Sequence, residues 1–130
     1  MKGYPEGQVA VEYVNLPFGQ LFKDLGMLAP WRDQDIVYCM GLLDYVAEEQ
    51  LGPLVHLLFS LVRPGGSLIL GNMREPTDTF WPLECILDWR LIYRTEEQIL
   101  ALSKMRGVKE ALLSLEETGN NYILKLRKIG

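Results

Sequence analysis

The chain holds 130 residues, 48% of them hydrophobic and 23% charged, with a formal net charge of −4. That length suits one domain around one core. The acidic balance excludes a nucleic-acid surface, which needs clustered Lys and Arg, and the sequence has no run of about eighteen apolar residues to cross a bilayer as a helix. Nothing at its start reads as a charged-then-apolar export leader. Cys39 and Cys85 both lie in apolar contexts and read as small buried hydrophobes rather than a disulfide or a metal pair. A reducing cytoplasm fits that usage.

In chain order, residues 1–7 carry Gly3, Pro5 and Gly7 and read as an irregular lead-in. Val9, Val11 and Tyr13 alternate with Ala10, Glu12 and Val14, which predicts a strand over residues 9–14. Pro17 and Gly19 end it. A short helical turn is expected over residues 20–25 and a loop carrying Pro30 and Trp31 over residues 26–34. Residues 35–40 are apolar on both faces, the pattern of a strand buried between layers. Residues 41–45 form the loop at its carboxyl end.

From Ala47 onward, Leu51, Leu54, Val55, Leu58, Leu61 and Val62 recur at spacings of three and four, the period of a helix with one buried stripe. Pro53 inside this span predicts a kink or a separate first turn. His56, the only histidine, reads as a partly exposed side chain, since no Cys or His partner stands at ligand spacing. Arg63-Pro64-Gly65-Gly66 closes the helix, and residues 67–70 form a second buried strand. Strand, helix, strand is a right-handed βαβ crossover.

Residues 72–78 read as a polar loop containing Pro76, and residues 79–87 as a short aromatic helix. Thr95 with Gln98 is a capping-box signature for a helix over residues 96–105. Residues 108–116 and 122–129 predict a hairpin turning at Thr118-Gly119-Asn120-Asn121. Lys125, Arg127 and Lys128 read as the solvent side of its last strand. The fold class is α/β, one domain over residues 1–130.

The pattern Asp35-Ile36-Val37 … Leu61-Val62-Arg63-Pro64-Gly65-Gly66-Ser67-Leu68-Ile69-Leu70 resembles the second half of a class I S-adenosylmethionine-dependent methyltransferase, where the phrase before the fifth strand reads "L-x-P-G-G-x-L". The resemblance covers roughly residues 9 to 129. The segments Gly41-Leu42-Leu43-Asp44-Tyr45 and Leu87-Asp88-Trp89-Arg90-Leu91-Ile92-Tyr93-Arg94-Thr95-Glu96-Glu97 look like a bacterial subgroup linked to fatty-acid methyl ester signals. The resemblance implies a partial Rossmann-like sheet with its strands in the order fourth, fifth, seventh, sixth, ending in an antiparallel hairpin. It places Leu16, Pro17 and Phe18 against the adenine of S-adenosylmethionine and Met40, Gly41 and Leu42 against its methionine end. Asp44 and Tyr45 then lie where a methyl acceptor approaches. Asp88, Tyr93 and Arg94 fall in the region like the family's substrate lid.

A carboxylate at Asp44 could position or deprotonate the acceptor, and Arg94 could hold a substrate carboxylate in two-pronged fashion. The bland readings are a helix cap for Asp44 and a local ion pair between Asp88 and Arg94. Trp81, Trp89, Phe80 and Tyr93 read as packing. The family's glycine-rich loop and ribose carboxylate have no counterpart in this sequence, nor does the acidic residue after its third strand. The leading expectation is therefore a methyltransferase-derived half-domain, inactive alone and binding S-adenosylmethionine weakly or not at all. Transfer would resume if a complementary half-domain chain supplied the missing half. The other expectation is a noncatalytic binding or assembly module that reuses the fold. The residues 35–40 strand, lacking its family neighbour, would present an open edge and favour a homo-oligomer, most simply a dimer, with residues 9–14 as candidate to fill the gap.

Overall fold

The computed structural model describes residues 7–75 and 82–130. Four strands form one open mixed sheet in the order β1-β2-β4-β3: β1 (Gln34–Cys39), β2 (Val62–Met73), β3 (Val108–Leu115) and β4 (Asn121–Lys128). β1 and β2 are parallel, and β4 runs antiparallel to both β2 and β3. This is the strand order that the resemblance implies.

Register decides what each face carries. Val37 and Cys39 stand beside Leu68 and Leu70, which stand opposite Leu126 and Leu124. That apolar row is covered by α2 (Glu48–Leu61) through Leu51, Leu54, Val55 and Phe59, and joined by Ile99 of α3 (Glu96–Ala101). Burial of such side chains contributes about 1.5–3 kcal/mol each and sets the layer. The other face differs. Ile36 and Tyr38 are exposed there, Ile69 and Ile123 are half-buried, and Leu112, Lys125 and Arg127 are exposed. β1 is thus not buried on both faces among the described residues, contrary to its sequence pattern.

Several elements depart from expectation for local reasons. Residues 9–14 are exposed and join no ladder, because alternation makes a strand only where a partner offers hydrogen bonds. The first helix, α1, is Phe18–Leu21, and the expected loop holds a 3₁₀ segment, Leu25–Trp31, whose start is fixed by Asp24 accepting from the Gly26 N–H at 2.9 Å. β2 begins at Val62 rather than Ser67. β1 advances from Gln34 to Ile36 while β2 advances from Val62 to Ser67, so Arg63 to Gly66 bulge out of the ladder, tied down by an Arg63–Asp35 ion pair. α2 continues through Pro53 as one helix.

The capping box at Thr95 and Gln98 is present, although α3 stops at Ala101. The hairpin turns where expected. Lys128, read as a solvent residue, instead donates to Val62 O at 2.7 Å and Phe59 O at 3.3 Å, capping the last carbonyls of α2. Cys39 is buried as expected, but Cys85 is exposed, on a π-type turn at Pro82–Ile86, and both thiols are free. The expected aromatic helix over residues 79–87 and the loop over residues 72–78 lie partly outside the described residues; Asn72 and Met73 belong to β2. Phe80 and Trp81 also lie outside them. Among the described residues no helix is long and apolar enough to cross a membrane.

Candidate functional site

Because β1 and β2 are parallel, their carboxyl ends open on the same side, where open α/β sheets hold ligands. Two loops meet there. The first is Met40 to Tyr45, which closes in a 3₁₀ turn, Leu43–Tyr45. The second is the segment before α3, laced across both strand ends: the Ile92 N–H donates to Asp44 O at 2.7 Å, the Arg94 N–H donates to Met73 O at 3.3 Å, and Arg94 bridges Arg74. Asp88 turns this segment with φ of 48°, a left-handed conformation that aspartate tolerates.

Arg94 is the centre of the arrangement. Its side chain is fully buried and makes four hydrogen bonds: Nε to Glu48 Oε1 at 2.7 Å, Nη1 to Leu43 O at 2.7 Å and to Asn72 Oδ1 at 2.6 Å, and Nη2 to Val46 O at 2.5 Å. The planar fork thereby binds the loop after β1, the end of β2 and the first turn of α2 at once. A guanidinium so engaged is not presented to a substrate carboxylate. Its ion pair is with Glu48, not Asp88, which pairs with Arg90 at 3.3 Å on the surface.

Asp44 is also buried. Its Oδ1 accepts from the Met73 N–H at 2.6 Å, joining the β1 loop to β2 rather than capping α2, whose N-cap is Ala47. Cys39 lies behind this carboxylate. Burial first, and then the charge of Asp44, push its thiol up to about 11, so the thiolate is suppressed. The Tyr93 hydroxyl is raised by burial and by the nearby Glu84 and Asp44 charges.

Tyr45 faces the other way. Half-exposed, it accepts at its hydroxyl from Trp89 Nε1 at 2.7 Å, so one aromatic from each loop meets at the surface. Met40 is half-exposed too, and it lies over Gly71. A Cβ at residue 71 would stand 2.5 Å from Met40 Cε and 2.6 Å from Sδ, so a larger residue there would push the flexible Met40 tip off the strand. Gly41, with φ of 71°, turns the chain away from β1, and Leu42 packs back on the core. Leu16 and Pro17 lead into α1; Phe18 stacks edge-on against Phe22 with ring centres 5.0 Å apart, and Phe22 joins the core. Among the described residues no hydrogen bond or ring contact joins Leu16 to Phe18 with Met40 to Leu42.

The structure therefore brings Asp44, Tyr45, Tyr93 and Arg94 to one end of the sheet. Leu16, Pro17 and Phe18 are not joined to this cluster by any described hydrogen bond or ring contact, and Asn72, Glu48 and Met73 enter the network without any sequence motif to announce them. An open cavity of ≈ 690 Å³ between the 3₁₀ segment Leu25–Trp31 and α2, lined by Arg32, Pro53, His56 and Ser60, contains none of these residues.

No protein-family model and no curated protein matches the sequence. Solved structures do match. A Bordetella parapertussis protein described as a possible exported protein aligns with TM-score 0.68 and 16% identity over 82% of this chain and 43% of its own. An O-methyltransferase family protein from Burkholderia thailandensis gives 0.57 and 17%, over 82% and 34%. Magnesium protoporphyrin IX methyltransferase from Synechocystis PCC 6803, solved with bound S-adenosylhomocysteine, gives 0.55 and 21%, over 81% and 48%. The four-stranded mixed sheet matches part of the Rossmann-like fold of these methyltransferases. At these identities the likeness speaks for the fold alone, and the chain spans less than half the length of each of these three neighbours.

Proposed function

We propose that the chain forms the acceptor-side half of an S-adenosylmethionine-dependent methyl-transfer site, catalytic only when a glycine-rich nucleotide-binding half is supplied. One observation carries this reading: at the carboxyl ends of two parallel strands, in a strand order shared with methyltransferases, Met40 and Gly41 leave an open, apolar wall held by a buried network. The residues fit part of the cofactor. Met40, Gly41 and Leu42 suit its methionine end, and Leu16, Pro17 and Phe18 offer apolar contact for adenine. A ribose carboxylate and phosphate-type amide loop must come from the other half. The cofactor, when bound, supplies an electrophilic methyl group.

The chain's own residues divide by role. Tyr45 is the exposed polar group at the acceptor position, held by Trp89. Asp44 and Arg94 are positioning residues, keeping the β1 loop fixed against β2. The fatty-acid methyl ester subgroup remains the acceptor class that the resemblance suggests. A noncatalytic assembly module is the second reading, favoured by the burial of Asp44 and Arg94, which leaves no exposed carboxylate or guanidinium of the pair to handle substrate.

Fusing the chain to the glycine-rich half of a class I methyltransferase separates the two. Calorimetry should show S-adenosylhomocysteine binding by the fusion, weakened by Met40→Glu. Methyl transfer should fall on Tyr45→Phe with binding retained. A folded fusion that binds the cofactor normally despite Met40→Glu, or that binds it and transfers nothing to any acceptor, favours the module.

A further inference from the structure

Two incomplete strands occur in this one molecule. β1 pairs with β2 alone and ends the sheet, so the outer N–H and C=O groups of its residues meet no described strand. Above that edge Ile36 is 59% exposed and Tyr38 73%, with Met40 just beyond at 48%. The second piece is the segment of residues 9–14, outside every ladder, with Val9 59%, Val11 66% and Tyr13 92% exposed. Each has what the other lacks: an unused edge, and an alternating apolar strand sequence without a neighbour.

We propose that two copies of the chain pair by exchange, residues 9–14 of each adding as a fifth strand to the β1 edge of the other. Area favours a second copy as the occupant. At their observed exposures these six side chains leave on the order of 600 Å² of apolar surface per copy, so two copies have at most about 1,200 Å² to bury, which touches the lower bound of stable interfaces. Exchange also meets the backbone groups of both pieces with hydrogen bonds, which side-chain contact alone does not. The pairing uses the edge that a nucleotide-binding half would need, so self-association and completion exclude one another; the dimer stands or falls independently of methyl transfer.

Sedimentation velocity on the whole chain at micromolar concentration reads this directly. The expected result is a dimer whose dissociation constant rises at least about tenfold in Val11→Pro, which cannot donate to a ladder, and in Tyr38→Lys, which charges the edge. Both positions are exposed, so circular dichroism should show the fold retained. Mixing the two variants should restore a heterodimer holding one intact exchanged strand. A folded wild-type monomer at the highest soluble concentration overturns the proposal. So does a dimer that neither substitution weakens, or a mixture that forms no heterodimer.

Discussion

Arg94 shows how a single side chain fixes a site it does not itself present. Its replacement by alanine leaves the Val46 carbonyl and the Asn72 amide oxygen without their Arg94 donors, and Leu43 O with only the Val46 N–H. The expected cost is about 3 kcal/mol or more, with little of it assigned to Glu48, which is 60% exposed and screened by water. Arg94→Lys should recover only part, because an ammonium cannot reach four acceptors in a plane. Urea unfolding midpoints of the two variants check this. Cysteine reactivity is a second residue-scale outcome. Cys39, buried and held near 11, should resist iodoacetamide at mildly alkaline pH while exposed Cys85 is alkylated; labelling of Cys39 in the folded chain would contradict the described packing. The sequence marks Asp44 and Arg94 as notable but not their roles. Arg94 meets partners 22, 46, 48 and 51 positions away, and no local pattern encodes contacts at that range.

At the scale of elements, local signals were readable and non-local ones were not. The hairpin follows from Gly119 and its polar neighbours, yet its lock is Glu116, which accepts from the Thr118, Asn120 and Asn121 N–H groups and from the Thr118 hydroxyl. These bonds, the Thr118 hydroxyl first, lower its carboxyl from 4.5 to about 2. A depressed folded value means stabilisation that is present above 4.5 and lost as pH falls toward 2. Amide exchange across β3 and β4 should therefore accelerate in that window, and Glu116→Gln should abolish the pH dependence. The capping box was equally legible, and Thr95→Ala should cost about 1 kcal/mol, read as a fall in thermal midpoint. Residues 9–14 failed as a strand because alternation describes a surface, not a partner. Lys128 failed as a solvent residue because its acceptors, Val62 O and Phe59 O, belong to a helix end far back in the chain.

For the molecule as a whole, the βαβ crossover and the returning hairpin were legible from periodicity and turns, whereas the order β1-β2-β4-β3 followed only from the family resemblance. The bare face was not. A short strand apolar on both sides predicts two covering layers, whereas the described residues provide one, leaving Ile36 and Tyr38 in the open. The proposed half-site accounts for that mismatch, with Met40 and Gly41 at the strand ends and the unpaired β1 edge beside them. The most direct measurement is an amide chemical-shift titration of the isolated chain with S-adenosylhomocysteine. The account predicts weak, non-saturating shifts confined to Leu16–Phe18 and Met40–Leu42, with no low-micromolar heat in parallel calorimetry, since a ligand enclosed on one side only is held poorly. Tight saturable binding, or shifts confined to other parts of the fold, would contradict it.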